Sequence, residues 1–328
     1  MNTKQAIELL RYHAFQDDDV HHPKMERGFL GSLRPFQGEL KESNFHELMT
    51  LIRALAGELG QDTLDRRVIS CLFSICQLAR AWAVEPEGML QRNRLLSDEQ
   101  TAQMERWLDM ISYAVMVLLD RGSEEEAFWG YREYVNERLS PLMTVLDDLL
   151  PRKAMEEEIR RLYLEYAERA GATEESLAAF EQARGILLPE DFRAFYRKKN
   201  GSGYAFHMLY PWDDGTPMYL MSLEEMSETK TFFCERDEWL EEYSSAEEIK
   251  ELDPQIKPYL FHTRWFPFAT MAGGSMYLML DLDPADLGTY GQIIAYVHDP
   301  DFLHYVAESF TVLLEKSNRH LAELDEIG

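Results

Sequence analysis

The residues of this 328-residue chain whose spacing best suits chemistry are Asp281 and Asp283. Two positions apart on a strand, their side chains share one face. Two carboxylates on one face can hold a divalent cation or divide acid and base roles. No third ligand or base stands in register with them, however, and Asp283-Pro284 opens an ordinary turn in which Asp281 caps nearby backbone. His298, Asp299, Asp301 and His304 form a second set. The gap from Asp301 to His304 suits a helix face, while Asp299-Pro300-Asp301 reads more simply as a turn followed by an N-cap. His21-His22, beside Asp17-Asp18-Asp19, lacks the i,i+4 or strand-alternate spacing that converges ligands, and reads as loop. Cys71, Cys76 and Cys234 show neither metal spacing nor an even count, and the first two lie on an apolar helical stripe as buried thiols. HExxH, a Gly-rich phosphate loop and GxSxG are all missing from the sequence. No catalytic residue, metal ligand or cofactor is therefore assigned. A metal-dependent hydrolase using Asp281 and Asp283 stands only as the rival to a binding protein.

Recognition is better represented than catalysis. Tyr210, Trp212, Asp213 and Asp214 fall in or beside one turn, and Tyr210, Trp212, Trp265 and Phe266 are expected to gather at one edge of a sheet. Burial in the core explains Trp265 equally well. From Glu235 to Glu251 the chain carries eight acids against two basic residues, which makes Glu238, Glu241 and Glu242 an acidic partner-binding face or a solvated one. The whole chain has a net charge of −26: 25 acidic against 16 basic residues through Leu150, and 34 against 17 after it. Such a field repels nucleic acid and anionic membrane surfaces and favours basic partners, and it also keeps a protein dispersed in water. Arg66, Arg67, Arg80, Arg92 and Arg94 are the basic exceptions. Arg92-Asn93-Arg94 precedes a helix start, where an anion can sit, but pairing with Glu85, Glu87 and Asp98 accounts for these residues more cheaply. The N-terminus shows no signal pattern, and no apolar run reads as approaching the ~18 residues of a membrane span. The expected location is the cytoplasm.

The elements that must position these residues fall into two domains, expected at 1–150 and 151–328. After a short helix at 2–11 and loop through Gly38, the apolar spacing is helical from Ser43. Stripes run from Phe45 to Leu59, from Leu64 to Trp82, from Met104 to Leu118 and from Phe128 to Leu139, and Trp82, Trp107 and Trp129 all read as core. Ser43 and Asp62 are expected caps, Ser97 with Gln100 and Ser123 with Glu126 are capping boxes, and Pro141 and Pro151 bracket a hinge. Short loops between such helices suggest an antiparallel bundle. After Leu150 come helices at 153–169, 173–185 and 188–201, then strands near 204–210 and 218–221, and a capping box at Ser222 and Glu225. Apolar runs at 264–270, 275–282 and 292–298 are separated by Gly273-Gly274 and a polar turn, the pattern of consecutive antiparallel strands. The middle run is apolar at nearly every position and is expected at the centre of the sheet, covered on both faces. A closing helix is expected over 303–324.

Taken in order, LPEDFRAFYRKKNG at 188–201, the strand ending Asp281-Leu282-Asp283-Pro284, Gly288, Gly291-Gln292-Ile293 and the last helix around Phe310 and Leu314 resemble the SUKH superfamily. That superfamily includes fungal regulators of cell-wall glucan synthesis and many bacterial immunity proteins. The resemblance covers residues 155–320. It implies an α+β domain, with a mixed, mainly antiparallel sheet backed by helices, following the helical N-terminal domain. Where many members carry Gly-Asp at the hairpin, this chain has Gly274-Ser275. The resemblance implies a binding module without a shared catalytic site. The expected partner is a basic protein, a toxin domain to be neutralised, with a regulatory scaffold in cell-wall assembly as the alternative.

Overall fold

A computed structural model describes residues 1–233, 236–271, 273–298 and 301–328. Cys234, Asp299 and Pro300 lie outside the described residues, and with them the sequence readings placed there. The chain divides into two compact units, Met1–Tyr134 and Val135–Gly328.

The first unit is helical: α1 Thr3–His13, α2 Pro23–Arg27, α3 Glu42–Ala54, α4 Ala56–Leu59, α5 Arg66–Ala79 with a π-helical turn Arg80–Val84, α6 Met89–Arg92, α7 Asp98–Leu119 and α8 Glu124–Ala127. Asn2–Gln5 and Ser97–Gln100 close reciprocal capping boxes. Two caps fall elsewhere than expected. Asp65, not Asp62, caps α5, and α3 starts at Glu42 with no side-chain cap. The core centres on Phe45, stacked on Trp107 at 5.1 Å, with the Tyr131 and Tyr134 rings edge-on at 5.5 Å. Trp129 is 67% exposed instead of joining them. Ser123 opens only one helical turn, so the next helix starts in a phase that sends Tyr131, Tyr134 and Val135 inward and Trp129 out.

A buried polar cluster ties α1, α2 and α3 together. Glu47 takes hydrogen bonds from Lys24 Nζ at 2.7 and 2.9 Å and faces His13 Nε2 at 2.8 Å. The backbone N–H of Phe29 donates to His13 Nδ1 at 2.9 Å, which makes Nδ1 the acceptor and Nε2 the donor of a neutral ring. Burial, outweighing the pull of Glu47, lowers the His13 pKa in agreement with that tautomer. Burial alone would raise Glu47, but Lys24 and His13 together carry it down to about 2.

Helix α9, Trp129–Lys153, runs through both Pro141 and Pro151, where the sequence suggested a hinge. An interior proline costs about 3 kcal/mol of helix stability. Burial of Leu139, Leu146 and Leu150 along one face holds the helix through that cost. Then follow α10 Glu157–Glu168, α11 Glu174–Arg184, α12 Glu190–Tyr196, α13 Leu223–Phe232, α14 Ala246–Glu251 and α15 Phe310–Glu323. Met155 precedes α10, whose expected start was residue 153, and is 59% exposed.

The strands are β1 His207–Leu209, β2 Met218–Leu220, β3 Glu238–Trp239, β4 Tyr259–Phe261, β5 Trp265–Thr270, β6 Met276–Asp281, β7 Gln292–Val297 and β8 Phe302–Ala307. Six of them form one sheet in the order β1-β2-β5-β6-β7-β8, and β3 pairs separately with β4. Every pairing among the described strands is antiparallel, so the sheet is not mixed. Gly273 and Gly274 take φ of +100° and +70°, the left-handed conformations that close the β5–β6 turn. The expected helix over 303–324 is a strand and a helix. Leu303, Val306 and Phe310 mimic helical spacing, but 302–307 pairs with β7 and Ser309 caps α15 through the Val312 N–H. The unit is α+β, and β6 lies at the sheet's centre as expected.

Alternation along these strands builds two cores. Phe268 meets Phe192 of α12 and Phe310 of α15 edge-on, while Phe195 packs on Phe310 at 5.0 Å. On the opposite face Trp265, Met279, Ile294, Tyr296 and Leu303 pack against Ile256 and Leu260 of the segment between α13 and β5. That segment covers what would otherwise be an open sheet face.

Candidate functional site

Residues 236–262 leave the sheet after α13, form the small β3–β4 ladder and return at β5. Their hold on the sheet depends on one histidine. His262 is 4% exposed; its Nδ1 lies 2.7 Å from Asp237 Oδ1 and its Nε2 3.0 Å from Asp283 Oδ2. Asp237 also accepts from the Thr263 N–H and hydroxyl, each at 2.9 Å. Asp283 also pairs with Lys257 Nζ at 2.7 Å. Burial raises both carboxyls, but their partners outweigh it: the Thr263 N–H and His262 for Asp237, His262 and Lys257 for Asp283. Both therefore sit below the usual carboxylate range. The Tyr259 ring stacks on His262 at 4.3 Å and 1°, and Trp239 covers Tyr259 at 4.1 Å. Lys230, buried under the same turn, donates to the carbonyls of Trp265 at 2.7 Å and His262 at 3.3 Å.

Asp281 lies beneath this anchor and is fully buried. It accepts from the Asp283 N–H at 3.0 Å and from Gln292 Nε2 at 2.8 Å, and Gln292 also reaches the Gln255 carbonyl at 2.8 Å. Burial, the dominant influence, pushes its pKa up to about 6. The strand ends at Asp281, so the strand-face geometry expected for Asp281 and Asp283 does not form. One caps backbone and the other closes an ion pair. Among the described residues no group of three or more His, Cys, Asp or Glu is arranged to hold a metal ion.

Above the anchor the segment presents exposed aromatics among acids. Trp239 is 42% and Tyr243 58% exposed, and Glu241 and Glu242 point to solvent. Glu238 pairs with Arg236 and accepts from the Tyr243 hydroxyl at 2.9 Å. Asp253, at the far end, accepts from the Tyr305 N–H of β8 at 2.6 Å.

The other sequence candidates scatter. Tyr210 is buried against α15, with its N–H donating to Ser317 and its carbonyl facing His320. Trp212 lies 5.5 Å from the His304 ring. Trp265 belongs to the opposite core, and Phe266, sent the other way by strand alternation, meets Phe180 of α11. The expected aromatic cluster is therefore not formed. Asp213 and Asp214 are exposed, and Asp214 accepts from the Thr216 N–H as a turn residue. Asp301 binds the Tyr296 hydroxyl and His298, while His304 sits on a strand, so that set does not converge. Arg80 pairs with Asp109 and Glu105 of α7 rather than with its chain neighbours.

Sequence reasoning missed Asp237, Lys257, His262 and Gln292. Their partners are 11 to 37 residues away in the chain, and no local spacing marks them. The charge count marks the segment only as acidic.

The sequence profile of the SMI1 / KNR4 family (SUKH-1) matches residues 171–316, from the start of α11 through the whole sheet and into α15. A comparison with curated proteins returns no match. Residues 171–316 are thus similar to the SMI1/KNR4 (SUKH-1) family, whose members are typically immunity or regulatory proteins and generally non-catalytic.

Proposed function

We propose that the C-terminal unit binds a basic protein through the segment 236–251, and that the partner is a toxin domain which this binding neutralises. The observation that carries the reading is the exposure of Trp239 and Tyr243 in one short stretch with the solvent-facing carboxylates of Glu241 and Glu242. Large aromatics with a charged rim are the composition of binding hot spots. Acidic flanks speed encounter with a cationic partner and make the complex sensitive to salt. The His262 anchor supports the reading because it holds the segment in place before binding, which lowers the ordering cost of association. A cytoplasmic location goes with it, in keeping with the free thiols of Cys71 and Cys76.

The test is capture from native lysate at low and high salt, with wild type beside Trp239→Ala/Tyr243→Ala. A basic protein held at low salt, weakened at high salt and lost with the double variant supports the proposal. A partner that the variant retains overturns the assigned surface.

A further inference from the structure

The N-terminal unit carries an apolar groove that nothing in its own fold uses. Helices α5 and α7 pack antiparallel, with Ser112 Oγ 3.5 Å from Cys76 Sγ and Arg80 2.8 Å from Asp109. Beside that seam runs a groove of about 790 Å³. Its α5 wall is Ile69, Phe73 and Cys76, and its α7 wall is Tyr113, Met116 and Leu119. These positions recur every three to four residues on both walls, so the walls form two parallel ridges about two turns long. Phe73 is 65% exposed, Met116 57%, Tyr113 42% and Leu119 39%. Side chains of this size left in water on adjoining helix faces mark an interaction site. By length and composition alone the stretch Arg66–Arg92 is long and apolar enough to cross a membrane, contrary to the sequence expectation of no such run.

Charge selects the occupant. Among the described residues, the charged ones that line the groove are Asp120 and Glu126, both at the end where α7 stops. Neither carboxylate is paired with a cation among the described residues. An apolar trough between two helical ridges fits a third helix laid along it, the mode in which amphipathic helices enter grooves. Two unneutralised acids at one end ask for lysine or arginine there, and they disfavour an anionic membrane surface.

We propose that the α5/α7 groove docks an amphipathic helix of a partner protein, about two to three turns long. Its inserted face is apolar, and it carries basic residues at the end that meets Asp120 and Glu126. The site is independent of the acidic segment in the C-terminal unit.

The probe is a fluorescent peptide of about 18 residues, made of leucine and lysine in helical amphipathic order. A scrambled peptide of the same composition is the control. Anisotropy is read with the full-length chain, with Phe73→Ser/Met116→Ser and with Asp120→Asn/Glu126→Gln. All four positions tolerate polar replacement because they lie at the surface, and circular dichroism checks that each variant keeps its helicity. The expected result is binding of the ordered peptide, weakened at least tenfold by the apolar double variant. The acidic double variant should weaken it severalfold and flatten its salt dependence. Equal binding of the scrambled peptide, or no effect of the apolar variant, overturns the proposal. So does a dimer in light scattering that the apolar variant turns into a monomer, because a second copy would then fill the groove. Binding of the protein to phosphatidylcholine vesicles that the same variant abolishes would likewise replace the helix with a lipid surface.

Discussion

Two histidines, each almost fully buried, do opposite things in the two units. His13 receives a backbone N–H on Nδ1 and gives its one proton to Glu47, so it stays neutral and the charge of the cluster belongs to Lys24 and Glu47. His262 has a carboxylate on each nitrogen and no backbone donor on either. The first histidine sits in a helical core and locks three helices. The second fastens a segment that lies over a sheet and ends in exposed aromatics. The difference teaches that burial alone does not set a histidine's role: the identity of the group on the second nitrogen does.

Glu47→Gln should give the largest effect, because it leaves the Lys24 ammonium buried without its anion. The expected loss is about 3–5 kcal/mol in denaturant unfolding followed by a probe in the N-terminal unit. A loss below about 1 kcal/mol would mean that this cluster is no more structural than the one at His262. Its pH dependence has a definite sign. His13 is lowered and Glu47 is held at about 2, so the unfolded chain binds more protons at both positions. Stability from the cluster is complete above about pH 6.5 and is lost as pH falls through the Glu47 value near 2. In Glu47→Gln the acid-side loss below pH 4.5 should flatten.

His262→Phe keeps a ring that can stack on Tyr259 but removes both ring nitrogens. It should cost about 2–3 kcal/mol, from the two charge-assisted bonds lost. Proteolysis should show where the loss falls: cleavage within 236–261 quickens, while the N-terminal unit remains as resistant as before. Uniform sensitivity along the chain would break the distinction between core lock and strap.

Asp281 has the opposite sign to Glu47. Its folded pKa of about 6 lies above the unfolded value near 3.8, so its contribution is fully present below about pH 4 and is lost as pH rises through 6. Asp281→Asn removes this dependence. At pH 7 it should still cost about 1–2 kcal/mol, because the new amide turns a donor toward Gln292 Nε2 or the Asp283 N–H. Thermal unfolding of both proteins at pH 4, 6 and 7 checks this, and parallel curves would contradict it. Trp239→Ala should have the smallest effect on stability, below about 1 kcal/mol, since the ring is half in water and gives up one stacking contact. A loss above about 2 kcal/mol would make Trp239 part of the anchor instead of the binding surface.

The sequence carried much of the sheet. The three runs that became β5, β6 and β7 are nearly continuous apolar stretches set off by Gly273-Gly274 and by the polar turn after Leu282, and a short apolar run ended by turn residues is a local property. Strand β8 escaped because Leu303, Val306 and Phe310 fit a helical stripe as well as a strand, and only pairing with β7 decides between them. The helix through Pro141 and Pro151 escaped for a related reason: local propensity forbids it, and buried leucines on one face override that propensity. Asp281 was legible as a backbone cap, because Asp281 and Asp283 are chain neighbours.

By itself, then, the amino-acid order determined the acidic character, the helical first half, the consecutive antiparallel strands and the acidic segment after α13. Each follows from composition or from spacings shorter than one element. Tertiary structure alone decided which acid meets which base. The strap of Asp237, Lys257, His262 and Asp283, and the lock of His13, Lys24 and Glu47, join residues from separate elements. Hydrogen bonds and ion pairs act over about 3 Å, and only the folded chain brings such residues that close.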